Sequence, residues 1–320
     1  MRVVSFCAFA WLLALGTAHA QGGYPARPIR LIVPYPPGAG TDIIARTVGQ
    51  KLGEILGQQI VIDNRGGGGG VIGADAGAKA PPDGYTMVLV TSTFAMTPTL
   101  QKPPYDPVRD FTPLVLLAAV PNILVVNPSI QATNLQELIA LARSRPNELS
   151  YATSGNGTVS HLLTEWLRSL VGGMPLVHIP YKGNAQALTD LLGGHVSIMF
   201  SALPSAMAHI ASNRVRPIAI TSKARSAAVP QVPTFIESGV PDFVFSSEFG
   251  LLMPARTPRD IVVRLNREIV KILRMPDVRE RLAGQGAEPV GNAPDEYAVL
   301  LKADLARWAR VVKTAGIRAD

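Results

Sequence analysis

Twice along this chain a short β-rich run stops at a glycine-containing loop that opens straight into an amphipathic helix, and that pairing is the signature of an α/β fold. In the first instance Ile29 to Val33 predicts a strand and Pro34 to Gly40 a loop. Thr41 or Asp42 then caps a helix whose Ile43, Ile44, Val48, Leu52, Ile55 and Leu56 share one stripe, ended by Gly57. In the second, Ser150 to Thr153 runs into Ser154-Gly155-Asn156-Gly157. Thr158 caps a helix with apolar residues at 159, 162, 163, 166, 167 and 170, and Gly172-Gly173 stops it. The alternation continues elsewhere, with strands at Gln59 to Ile62, Tyr85 to Val90, Val196 to Phe200 and Arg216 to Thr221. Helices are expected near Ala185 to Leu192, after Pro204, and over Pro258 to Leu273 and Pro294 to Ala315. The five glycines Gly66 to Gly70 are expected to form a flexible loop ahead of a short alanine-rich helix. A mostly parallel sheet is the expected scaffold.

Two extended passages, Leu114 to Val126 and Phe243 to Met253, flank the middle of the chain. They predict two lobes joined by two crossing strands with a cleft between them: residues 21–120 plus 250–320 as lobe 1 and 121–249 as lobe 2. The C-terminal helices are expected to pack back on the first unit. With 320 residues, 47% of them apolar and 17% charged, the chain can bury a core for each lobe.

Residues 1–20 predict a secretory signal peptide. Arg2 supplies the positive start, Val3 to Leu15 the apolar run, and Ala18-His19-Ala20 the small-residue cleavage site. The single cysteine, Cys7, lies inside that segment, so the exported chain is expected to carry no disulfide and no thiolate metal site. No later stretch is apolar for long enough to span a bilayer. Lysine and arginine exceed aspartate and glutamate, 30 against 23, but the excess is scattered and forms no basic tract for nucleic acid.

The chemistry is expected at the two glycine loops. The first N–H groups of a helix lack intrahelical partners and carry about half a positive charge, so such an end favours a carboxylate, and glycine lets the backbone come close. Thr41, Asp42, Ser154, Thr158 and His161 add donors and acceptors beside those amides; His161 is either a ligand contact or a polar residue of the first helical turn. Gly68, Gly70 and Gly73 match a dinucleotide fingerprint literally, but no acidic residue follows at about 20 positions to take a ribose hydroxyl. No phosphate loop continues into Gly-Lys-Ser/Thr, and no metal-binding spacing occurs; His161 and Glu165 are read as a helix-face pair. Tyr181-Lys182-Gly183 is another tight loop, either a site or a surface turn. A hydrolase using Ser154 as nucleophile and His161 as base is the alternative, though no orienting acid is evident.

Six motifs carry a family resemblance: Tyr35-Pro36-Pro37-Gly38-Ala39-Gly40-Thr41-Asp42; Asp63-Asn64-Arg65 with the glycine run; Pro82-Asp83-Gly84-Tyr85; Tyr151-Ala152-Thr153-Ser154-Gly155-Asn156-Gly157-Thr158 with His161; Pro180-Tyr181-Lys182-Gly183; and Leu191-Leu192-Gly193-Gly194. From about Tyr24 to the C-terminus the chain resembles the periplasmic solute receptors of tripartite tricarboxylate transporters, also called Bordetella uptake gene receptors. The resemblance implies a type II periplasmic-binding-protein (Venus flytrap) fold and a non-enzymatic receptor with no cofactor and no metal. It implies a small organic carboxylate as ligand, delivered to a permease of a large and a small subunit; presentation to a sensor kinase is the other possibility. A monomer is expected, in the periplasm. By motif, Gly38, Ala39, Gly40, Thr41 and Asp42 would lie near the ligand, with Ser154, Gly155, Gly157, Thr158 and His161 around its carboxylate and Tyr181, Gly183 and Ser201 beside them. Ser201 is a departure, because these receptors commonly carry Asp there. Its neutrality favours an acid with an uncharged tail or a second carboxylate over an amino acid.

Overall fold

The computed structural model describes residues 23–35, 37–38 and 40–317. The expected signal peptide, 1–20, and Ala39 of the first loop lie outside the described residues. The chain begins with β1 (Ile29–Val33), α1 (Gly40–Leu56), β2 (Ile60–Asn64), α2 (Val71–Ala78), β3 (Thr86–Thr91) and α3 (Thr93–Leu100), then the long strand β4 (Phe111–Val126). There follow α4 (Leu135–Ser144), β5 (Ser150–Thr153), α5 (Val159–Leu170), β6 (Val177–Pro180), α6 (Asn184–Leu192), β7 (Ile198–Ala202), α7 (Leu203–Ala211) and β8 (Arg216–Ile220). The last part holds β9 (Ser246–Pro254), α8 (Arg259–Leu273), α9 (Pro276–Ala283), β10 (Glu288–Pro289) and α10 (Pro294–Ala315).

The strands run in the order β2-β1-β3-β9-β4-β7-β5-β6, with β8 and β10 also on β4. Within each lobe the neighbours are parallel: β2, β1 and β3 in one, β6, β5 and β7 in the other. Every pairing made by β4 and β9 is antiparallel. The sheet is therefore mixed rather than mostly parallel, because a chain that enters the second lobe on one strand and returns on another lays the two side by side in opposite directions. Phe111 to Pro121 of β4 pair with β9, whereas Asn122 to Val126 pair with β7 and β8.

At that exchange of partners sits a buried polar knot. The Asn122 N–H donates to Thr221 Oγ1 at 2.9 Å, and the Thr221 hydroxyl donates to the Phe245 carbonyl at 2.7 Å. The Thr221 N–H reaches the Asn122 carbonyl at 2.8 Å, and the Phe245 N–H reaches the Thr221 carbonyl at 2.9 Å. Asn122 Nδ2 adds a bond to Ser247 Oγ at 2.9 Å. One threonine thus ties the outgoing strand to the returning one.

Three features differ from expectation. The glycine run is a folded turn: Gly68–Gly70 form a 3-10 turn, Gly67 to Gly70 all have positive φ, and the Gly70 N–H closes on the Gly67 carbonyl at 3.1 Å. Only glycine takes four such conformations in a row without strain. Second, α8 does cover the first unit, its Val262, Leu265 and Ile269 buried with Ile44, Val48 and Leu52 of α1, but α10 touches α3 on one side and α5 on the other. Its 22 residues span roughly 33 Å, enough to bridge both lobes. Trp308 is fully buried, edge-on to Trp166 of α5 at 5.9 Å and to Phe245 at 5.4 Å. Third, α3 and α4 are helices in stretches where none was expected; α3 even contains Pro98.

The β9 strand is fastened to α10 by a carboxyl pair, Glu248 hydrogen-bonded to Asp304 with Arg307 alongside. Burial, reinforced by Asp304, pushes the Glu248 carboxyl up to about 7 although Arg307 pulls it down, and burial raises Asp304 as well. Because the folded value lies above the unfolded one, this pair stabilises most in acid and less as the pH rises toward and through 7. Glu248→Gln is expected to melt about 2–4 °C above the wild type at about pH 8, with the gap closing by about pH 5, in paired thermal denaturations. Thr221→Val, which keeps the shape and removes the hydroxyl, is expected to cost about 1–3 kcal/mol in denaturant unfolding, since it leaves the Asn122 N–H and the Phe245 carbonyl without their partner.

Candidate functional site

In α/β sheets ligands lie beyond the carboxyl ends of parallel strands, and here two such edges occur. In the second lobe β6, β5 and β7 end side by side, which brings Tyr181, Ser154 and Ser201 to one edge. The Tyr181 N–H donates to the Thr153 carbonyl at 3.0 Å, and a Cβ at Gly155 would stand 3.3 Å from the Tyr181 carbonyl, so the two loops are packed together.

The loop after β5 is held from within. The Ser154 N–H donates to Ser160 Oγ at 3.0 Å, the Gly155 N–H to Thr153 Oγ1 at 3.3 Å and the Gly157 N–H to His161 Nδ1 at 3.0 Å. The Thr158 hydroxyl donates to the Gly155 carbonyl at 2.7 Å and stands 3.2 Å from Ser160 Oγ, but it caps no backbone N–H of the first turn of α5. That leaves the positive end of α5 uncapped by its own N-cap residue, as an anion site requires. Gly155 and Gly157 have φ of 128° and 71°, a region that side chains rarely enter. Gly183 is the N-cap of α6, and the Tyr181 hydroxyl donates to Asp190 Oδ2 at 2.6 Å. Ser201 is buried beneath the edge, its hydroxyl donating to the Ala202 carbonyl at 3.2 Å.

The other edge belongs to β2, β1 and β3. In the first loop Asp42 is buried and turned onto its own surroundings: Oδ2 accepts from the Gly38 N–H at 2.9 Å and from Arg46 Nε at 2.8 Å, and Oδ1 accepts from Asn64 Nδ2 at 3.0 Å. Burial works to raise this carboxyl, but the Arg46, Gly38 and Asn64 bonds together hold it below the ordinary carboxylate range. Asp42 thus fixes the shape of the loop that leads to Gly40 and Thr41 at the start of α1. The Tyr35 hydroxyl reaches Thr91 Oγ1 at 2.6 Å and Thr93 Oγ1 at 2.8 Å, tying β1 to the end of β3.

The two edges meet across a cavity of about 300 Å3. One wall is Gly68 and Gly69 with Thr93, Met96, Thr97, Leu100 and Gln101 of and after α3; the other is Asn156, Gly157 and Thr158. None of the described residues lining it is charged. At Gly157 a Cβ would lie 2.6 Å from Leu100 Cδ1, and its φ of 71° disfavours any side chain. The contribution of Gly68, Gly69 and α3 was not anticipated. The available signal was the hydroxyl cluster Thr91-Ser92-Thr93 at the carboxyl end of a strand.

The profile of the tripartite tricarboxylate transporter family receptors matches residues 44–317. The chain belongs to this receptor family. The receptor is 42% identical to protein BugT of Bordetella pertussis over 92% of its own length and 91% of that protein. It is 38% identical, with a TM-score of 0.79, to the R. palustris protein Rpa4515 solved with adipate, covering 93% of this chain and 100% of that one. To MatC of Rhodopseudomonas palustris with bound malate it is 32% identical, TM-score 0.73, covering 90% and 100%. It is a periplasmic solute-binding receptor with the two-lobed fold of that class, and not an enzyme. The geometry agrees: Ser154 Oγ bonds to Ser160 Oγ at 3.3 Å, while His161 Nδ1 is taken by the Gly157 N–H, so the hydrolase alternative lacks its nucleophile–base bond. Among the described residues no cluster of side chains suits a metal ion, and no helix is long and apolar enough to cross a membrane.

Asp42→Ala is expected to lower stability by about 1–3 kcal/mol, because it strands the Gly38 N–H and the Asn64 amide. The carboxylate contributes fully above the ordinary aspartate value of about 3.9 and fades as the pH falls through its lowered folded value. Thermal melts of variant and wild type should therefore differ by a constant amount at neutral pH and converge only in strong acid.

Proposed function

We propose that the receptor captures a small organic carboxylate between its lobes and delivers it to the permease of a tripartite transporter. The observation that carries this is the cavity between the two strand edges, walled by peptide groups, hydroxyls and the apolar Met96 and Leu100, with no lysine or arginine among its described lining residues. Such a wall suits an anion held by N–H groups and a helix terminus, with its hydrocarbon body lying on α3. Relatives solved with adipate and malate support the ligand class.

In this reading lobe 1 comprises residues 21–120 with 250–320 and lobe 2 residues 121–249, and the lobes close about the β4 and β9 crossings. Gly38, Ala39, Gly40 and Thr41 are assigned to the ligand by motif, although Gly38, Gly40 and Thr41 are not among the described lining residues of the cavity; in the second loop Ser154 and Thr158 offer hydroxyls to its carboxylate, while Gly155 and Gly157, whose N–H groups are bonded within the loop, set its shape. Tyr181 and Gly183 back the second loop. Ser201, in place of the Asp common in the family, leaves no charge for a ligand amino group, so a diacid or an acid with an uncharged tail is the expected cargo. Residues 1–20 export the chain to the periplasm, where it works as a monomer.

Calorimetry and thermal shift against adipate, malate, benzoate, aspartate and glutamate test this. Stoichiometric binding of a diacid or an aromatic acid is expected, with stabilisation of about 2.7 kcal/mol when the ligand stands at about 100 times its Kd. Ser154→Ala and Thr158→Ala should each weaken that binding roughly threefold to tenfold, with the fold intact by circular dichroism. Tight binding of aspartate or glutamate alone, or turnover of any of these acids, would overturn the proposal.

A further inference from the structure

His161 lies in the first turn of α5, immediately behind the second loop, and its bond runs to that loop. The Gly157 N–H donates to Nδ1 at 3.0 Å, so this nitrogen is an acceptor, and a neutral ring that accepts there carries its proton on Nε2. From β6, His178 stacks on it, with ring centroids 4.3 Å apart and planes within 13°. His178 is in turn held by Thr153 Oγ1 at 2.8 Å. From β5, Tyr151 stacks on His178 at 4.7 Å and stands 6.5 Å from His161. Along α5 the next charged groups are Glu165, which accepts from the Tyr151 hydroxyl at 2.5 Å, and Arg168, paired with Glu165 at 2.5 Å.

We infer that neutral His161 is a positioning residue, holding Gly157 and with it the carboxylate-binding loop in its binding shape, so that a proton on the ring weakens ligand capture. A cation beside an anion site would ordinarily strengthen binding. Here the geometry reverses the sign. A proton on Nδ1 would face the Gly157 N–H, donor against donor, at a position where the positive end of α5 already opposes charge. The ring must then give up the Gly157 bond, and a glycine at φ 71° loses its anchor. This rests on the carboxylate reading of the site.

Two variants and one spectrum test it. His161→Asn places an amide oxygen near the Nδ1 position and accepts without titrating; His161→Leu accepts nothing. With adipate, malate and benzoate as probes, His161→Leu should bind roughly tenfold more weakly than the wild type at about pH 8, and His161→Asn should bind nearly as well as the wild type. From about pH 8 to about pH 5 the wild type should weaken roughly tenfold more than His161→Asn, whose smaller loss reports the protonation of the acids themselves. Long-range proton–nitrogen correlation of the ligand-free protein at about pH 8 should show His161 as the Nε2–H tautomer. A wild type that loses no more affinity in acid than His161→Asn would overturn the inference, as would an Nδ1–H tautomer. If none of the three acids binds the wild type, the proposed ligand class fails while the ring spectrum still decides the role of His161.

Discussion

Thr221 joins the two places where the chain passes between its sheets, and the rest of the architecture hangs on that joint. Its hydroxyl has one proton to give, and with the Asn122 N–H arriving on its lone pair it completes a bridge from β4 to the backbone at Phe245. Pro121, which has no N–H to donate, falls where β4 leaves β9 for β7 and β8. The strand is therefore continuous in direction but interrupted in its ladder at the point of exchange. A small change of backbone angle there rotates one lobe on the other while each sheet keeps its own hydrogen bonds, which is how a hinge differs from a loose linker.

The same topology explains why the cavity is lined as it is. Parallel strands bring their following loops to one edge, and two sets of them, β2-β1-β3 and β6-β5-β7, present loops to a common space. Each loop is stiffened before any ligand arrives, the first by Asp42 on Gly38, Arg46 and Asn64, the second by Thr158 on Gly155 and His161 on Gly157. Pre-ordered loops lose little freedom on binding, so hydrogen bonds of modest net value can suffice for useful affinity. They also read only the carboxylate. In the proposed reading, discrimination among acids falls to the surface that meets the rest of the molecule, with Met96 and Leu100 its apolar part.

Much of this was legible in the residues, and the failures have physical causes. The helix at Pro294–Ala315 was bounded correctly because Pro at its start and Gly316 after its end are local signals. Both glycine loops were placed for the same reason. The antiparallel course of β4 and β9 was not visible, because periodicity reports burial and says nothing of direction. Helix α3 was missed because its TFAMTPTL sequence has hardly any amphipathic contrast and carries an internal proline; it is helical because α10 covers it. The glycine run looked flexible on composition alone, whereas the structure folds it with Gly73 pressed against Pro34, where a Cβ would lie 2.6 Å from the proline ring.

The placement of α10 bears on how the lobes move. It lies against α3 and α5 together, on the side where Trp308 meets Trp166 and Phe245, close to the returning strand. Atoms near a rotation axis move little and atoms far from it move much. The buried tryptophan contact near the crossing can then survive small rotations that carry the amino end of α5, at the far side of the same helix, toward or away from Leu100. A ligand bonded to that end and to lobe 1 at once gains contacts only in the closed arrangement, and this difference between arrangements is all that can drive closure. In the proposed reading, recognition by a helix terminus and closure about the β4 and β9 crossing are one event, because the amino end of α5 and Leu100 wall the same cavity from the two lobes.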